Sequence, residues 1–92
     1  MIILDFWAPW CGPCKSLAPV LEKVTSERNI EVVKINVDED IEEILKQHGI
    51  IEQPNVRNVP TIIAINDNGE EIGRFTGTKS EADINNFFDN LK

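Results

Sequence analysis

A second pair of cysteines and a second histidine are missing from this 92-residue chain, and that shortage narrows its chemistry. A tetrahedral zinc site needs four protein ligands. Cys11 and Cys14 supply half of them, and the rest would have to include His48, the only histidine. An intrachain metal site is therefore not expected, while a metal shared between two chains stays open. Two cysteines three positions apart are also too few to build a disulfide scaffold. Basic residues are scarce as well, nine Lys and Arg against sixteen Asp and Glu, for a net charge of −7. That balance argues against non-specific binding to nucleic acid or an anionic membrane, both of which favour a basic face, and it serves solubility.

Long apolar runs are absent too. "MIIL" stops at Asp5 after four residues, far short of a signal-peptide core or a membrane span. With no signal peptide visible, the expectation is a cytoplasmic protein, where a lasting structural disulfide is not expected. No linker, internal repeat or low-complexity segment interrupts the chain. Residues 1–92 read as one domain, and the apolar share of 41% suffices for a single small core.

What is present has a clear order. "IILDFW" predicts a buried strand over residues 2–6. Leu17, Ala18, Val20, Leu21 and Val24 recur at helical spacing and predict a helix over residues 11–27, with Pro19 removing one backbone donor inside it. "EVVKINV", residues 31–37, is β-branched and predicts a second strand. Asp38 or Asp40 then caps a short helix that turns Ile41, Ile44 and Leu45 inward and ends at Gly49. "IIEQPNVRN" has no period and reads as a loop. "PTIIAI" and "EEIGRFTG" flank "NDNG" as a β-hairpin with Asn68-Gly69 at the turn. Ser80 and Asp83 form a capping box before a final helix that buries Ile84, Phe87, Phe88 and Leu91. The fold class is α/β, in the order β-α-β-α-β-β-α. The first two strands run parallel through a right-handed crossover, the hairpin is antiparallel, and helices cover both faces of one mixed four-stranded sheet.

The stretch "FWAPWCGPCK" holds both cysteines. As a structural disulfide they would close a four-residue loop worth only about 2 kcal/mol, against about 4.7 for a loop of 100 residues. A redox reading uses every feature of the stretch. Cys11 falls where a strand hands over to a helix, and the unpaired N–H groups of that helix end stabilise a thiolate, which is the nucleophile. Cys14 lies one turn later on the same face, placed to attack a mixed disulfide at Cys11, and should be the less exposed sulfur. Gly12 leaves the approach to Cys11 open, and Pro13 fits the first turn, where its missing N–H is harmless. Cys14 needs a proton acceptor. Asp5, a lone carboxylate in an apolar strand where burial raises its pKa, is the candidate; the alternative is a strand end in contact with water. Lys34 in the neighbouring strand either faces Asp5 or is an ordinary solvated lysine.

With "DFWAPWCGPCK", "KINVDED", "RNVPT", "NDNGEEI" and Gly77 in this order, the chain resembles the thioredoxin family over nearly its whole length. The resemblance implies a minimal thioredoxin fold with Cys11 as attacking nucleophile and Cys14 as resolving thiol. It matches Asp5 to the buried acid beneath the second cysteine and Lys34 to that acid's lysine neighbour. Pro60 matches a cis-proline that faces the disulfide. Trp10, Val59 and Gly77, with Gly12, Pro13 and Pro60, make up the implied docking surface, while Trp7 packs against the sheet. The implied partners are disulfide-containing proteins and an external reductase, an NADPH-dependent flavoprotein; the chain itself shows no nucleotide, flavin or other cofactor site.

Two departures stand out. The family usually has a strand and a helix before "DFW", and here only residues 1–4 precede Asp5. The second strand should then form a sheet edge guarded by Glu31 and Lys34, leaving a monomer or an edge-strand dimer. Residues 50–55, "IIEQPN", read as an insertion upstream of Pro60, either tolerated at the surface or reshaping the docking surface. Asn58 stands where the family often has glycine. A glutaredoxin-like, glutathione-dependent reductase is a rival that Gly12-Pro13 argues against, since those enzymes more often carry an aromatic between the cysteines. A binding subunit with an incidental dithiol is the rival from another class.

Overall fold

The computed structural model describes residues 1–50 and 53–91. Its elements follow the expected order: β1 (Ile2–Trp7), α1 (Gly12–Glu27), β2 (Glu31–Asn36), α2 (Ile41–Gln47), β3 (Thr61–Ile65), β4 (Glu71–Thr76) and α3 (Glu81–Asp89). They build one sheet in the order β2-β1-β3-β4, with β1 and β2 parallel and the other pairs antiparallel. β1 and β3 are central and covered on both sides, which is why they read as unbroken apolar runs rather than alternating ones. β2 lies at the edge and alternates, Val33 and Ile35 buried and Glu31 and Lys34 exposed.

The pleat sorts the core into two layers. On one face Ile3, Ile62 and Ala64 meet Leu17, Leu21 and Val24 of α1 and Ile84 and Phe88 of α3. Phe87 and Leu91, expected to be buried, are only half-buried there, at the border of that layer. On the other face Leu4, Phe6, Val33, Ile35, Ile63 and Ile65 meet Leu45 of α2 and Ile50. Phe6 has no exposed surface. Phe6→Ala should therefore lower stability by about 3–5 kcal/mol, a large share of the total for so small a domain. Urea unfolding would show this as a lower midpoint at unchanged slope.

Helix ends carry the local logic. α1 runs unbroken through Pro19 and stops at Asn29, whose φ of 56° lets the Ile30 N–H reach back to the Thr25 carbonyl at 2.9 Å. α2 begins at Asp40 rather than Asp38, with the Asp40 carboxylate accepting the Glu43 N–H at 3.2 Å. It ends in the same motif, Gly49 at φ 77° and the Ile50 N–H bonded to the Leu45 carbonyl at 2.9 Å. Ile50 is thus a buried anchor of the helix end, not the start of a free surface insertion; Ile51 and Glu52 of that insertion lie outside the described residues. The hairpin turn spans residues 66–69, with the Gly69 N–H donating to the Asn66 carbonyl at 3.0 Å and Gly69 at φ 82°. Asn68 keeps a negative φ, so the pair Asn68-Gly69 closes a type I turn instead of forming its two central residues. Ser80 caps α3 by accepting the Asp83 N–H at 3.1 Å.

Candidate active site

Cys11 is the N-cap of α1, delivered there by the end of β1, and its own N–H donates to the Ala8 carbonyl at 3.1 Å. Its sulfur accepts the Cys14 N–H at 3.1 Å, so it sits among the free donors of the helix end. Cys11 and Cys14 are joined in a disulfide, their Cα atoms 5.3 Å apart. Both residues are buried, 4% and 6% exposed, against Ala8, Trp7, Val37 and Val59. The expected contrast between a more open Cys11 and a hidden Cys14 is therefore absent at the level of whole residues, because the linked pair packs as one unit. Gly12 and Pro13 are exposed in the first turn of α1, and nothing lies within 4 Å of where a Gly12 side chain would begin.

Asp5 lies in mid-strand and is 7% exposed, which removes the reading of a strand end in water. It pairs with Lys34 in the parallel register of β1 and β2, and both residues line a cavity of about 180 Å³ with Trp7, Cys14, Lys15 and Ala18. Burial pushes the Asp5 carboxyl above the ordinary carboxylate range, and the Lys34 charge partly opposes that. The acid, the lysine and the second cysteine, 29 positions apart at the extremes, thus share one small space.

Val59 packs against the cysteine pair, the Val59-Pro60 bond is cis, and Pro60 is fully buried. Gly77, at φ 78°, donates its N–H to the Pro60 carbonyl at 3.1 Å, and the Thr61 hydroxyl donates to the Asn58 carbonyl at 2.6 Å. Trp10 is 69% exposed, a large apolar side chain left in water. Together with Val37, Val56, Arg57, Asn58 and Val59 it lines a cleft of about 370 Å³. Asp38, considered from sequence only as a helix cap, instead accepts the Trp10 indole N–H at 3.2 Å and holds the ring over that cleft. Twenty-eight positions separate the two residues, and no local pattern links them.

The thioredoxin family model matches residues 1–90. The chain belongs to the thioredoxin family. It is 39% identical to a thioredoxin of Haemophilus influenzae over 88 residues, covering 94% of this chain and 75% of that protein. It is 40% identical to a thioredoxin of Bacillus subtilis over 81 residues, covering 86% and 70%. A crystal structure of a reduced Schistosoma mansoni thioredoxin pre-protein superposes with a TM-score of 0.73 at 32% identity, over 99% of this chain and 78% of that one. This thioredoxin-family chain is a thiol-disulfide oxidoreductase, a protein-disulfide reductase working through the Cys11–Cys14 pair. Among the described residues, no helix is long and apolar enough to cross a membrane.

Proposed function

We propose that residues 1–92 act as one cytoplasmic domain that reduces protein disulfides with Cys11 as nucleophile and Cys14 as resolving thiol. The Cys11 thiolate attacks a substrate disulfide and forms a mixed disulfide, expelling one substrate thiolate. Cys14, its proton taken by Asp5, then attacks the Cys11 sulfur and expels the second substrate thiolate. The chain is left with the Cys11–Cys14 disulfide, and two electrons from an external reductase restore the dithiol. Lys34 tempers the Asp5 charge, and Trp10, Gly12, Pro13, Val59, Pro60 and Gly77 receive the substrate chain. The observation that carries this reading is the Cys11 sulfur at the helix N-cap, bonded to a Cys14 that shares its cavity with a buried acid. The radius of gyration, 12.3 Å, supports a single folded unit, for which about 12 Å is expected at this length.

The test is insulin reduction with NADPH and thioredoxin reductase, run beside glutathione with its own reductase. Turnover with the first couple is expected. Turnover only with glutathione would move the protein to the glutaredoxin side, and none with any donor, dithiothreitol included, would sink the reading.

A further inference from the structure

β4 contains an irregularity with a consequence for the docking cleft. Ala64 of β3 pairs with Gly73, but the next residue, Ile65, pairs with Glu71, so one residue of β4 is extra. Residues three apart in a regular strand point to opposite faces. Here Arg74, opposite Ile63, and Glu71, opposite Ile65, both lie on the α2 face, because Ile63 and Ile65 share that face. Ile72 packs with the other layer, and Gly73 stays bare beneath Leu91 and Phe87.

The bulge brings Glu71 and Arg74 into a fork. Arg74 Nε and Nη2 donate to the two Glu71 carboxylate oxygens, each at 2.6 Å, in the bidentate geometry that fixes a guanidinium plane. The remaining arm, Nη1, donates to the Asn55 carbonyl at 2.7 Å. The Arg74 hydrogen bonds also hold the Glu71 carboxyl below the ordinary carboxylate range, so the pair stays charged at neutral pH. Val56, Arg57, Asn58 and Val59, which follow Asn55 directly, line the cleft under Trp10. The far end of this segment is tied by Thr61 and Gly77 to Asn58 and Pro60. Among the described residues, Arg74 is the side chain that hydrogen-bonds the near end, where Val56 also packs against the α2-side core.

We propose that Glu71 and Arg74 are positioning residues for protein substrates, holding the Asn55 carbonyl so that residues 56–59 keep the shape a substrate chain meets. This rests on the docking reading above. Without the tie the segment samples other shapes, and affinity falls by the fraction of time the competent one is lost. A small disulfide that reaches Cys11 without lying along the cleft is insensitive to that loss.

The experiment compares wild type, R74A and E71Q in dithiothreitol-driven reduction of insulin and of a small aromatic disulfide. R74A should raise the insulin KM about tenfold, the low end of the effect of removing one charge-assisted hydrogen bond, and change kcat and the small-disulfide rate by less than about twofold. E71Q should shift the insulin KM in the same direction by less. Exchange of the Gly77 amide, which is bonded to the Pro60 carbonyl, should accelerate in R74A while that of α1 does not. An unchanged insulin KM, or equal slowing of both substrates, overturns the proposal. If R74A folds poorly, E71Q decides by the same split. A wild type inactive on both disulfides would instead overturn the functional reading beneath it.

Discussion

Cys11→Ser should reduce insulin turnover to the background of the reductant alone, a loss on the order of 10,000-fold or more. A hydroxyl forms no disulfide, so no mixed intermediate exists for Cys14 to resolve. Cys14→Ser should fail differently. Its Cys11 thiolate remains at the helix N-cap among free N–H donors. The first attack therefore proceeds, and the protein stops as a covalent adduct with its substrate. Mass spectrometry of each variant incubated with oxidised insulin reads the difference: a dithiothreitol-sensitive adduct for Cys14→Ser and none for Cys11→Ser. Because the two cysteines are equally buried in the disulfide, exposure does not assign the roles. The proposed assignment rests on the helix end, where the Cys14 N–H meets the Cys11 sulfur. An adduct from Cys11→Ser alone would exchange the roles, and no adduct from either would remove the dithiol mechanism.

Asp5→Asn should make the protein more stable and slower at neutral pH. The buried Asp5 carboxyl has a raised pKa, so the folded state holds its proton to higher pH than the unfolded chain does. Below the unfolded value, about 3.9, both states are protonated and Asp5 brings no penalty. As pH rises through the folded value the carboxylate ionises in its small cavity, and the favourable contribution is lost. Asparagine keeps the shape without the charge. The gain at pH 7 should be on the order of 1–3 kcal/mol, the range for relieving a poorly solvated polar group. That corresponds to a rise of at least about 4 °C in Tm. At pH 3.5 the two proteins should melt within about 2 °C of each other on the same relation. Turnover should fall by about 10²-fold if Asp5 is the proton acceptor, the low end for positioned acid-base groups, with the loss concentrated in release of the mixed disulfide. Equal Tm values at pH 7 would show that the carboxyl is solvated in the folded state. Unchanged turnover would remove its role in deprotonating Cys14.

Much of the fold was legible because its cues are local. β1 announces itself as a short apolar run, β2 by its β-branched residues, β3 and β4 by the turn between them, and α3 by Ser80 and the spacing of Ile84 and Phe88. What the local cues left open or misplaced was decided by the chain's path. Asp38 and Asp40 are equivalent as caps on paper, and only the path of the chain after β2 assigns the cap to Asp40 and leaves Asp38 for Trp10. Ile50 looked like the first residue of an insertion because its partner, Leu45, is defined by a helix end closed at Gly49. The tie from Arg74 to Asn55 had no signal at all. It depends on a bulge that reverses one residue's facing, and a regular strand would have turned Arg74 away from Glu71.

By itself the sequence determined the chemistry of the reacting atoms, two thiols one helical turn apart with the first at a helix start. Those properties come from covalent spacing and from donors that every helix leaves free at its N-terminus. Tertiary structure alone decided which groups surround them. Asp5 and Lys34 line one cavity with Cys14 because β1 and β2 pair in one register, Asp5 beside Lys34. A slip of one residue would carry Lys34 to the α2 face and leave the acid without its neighbour, and nothing within either strand distinguishes the two registers except the burial of Val33 and Ile35 against α2.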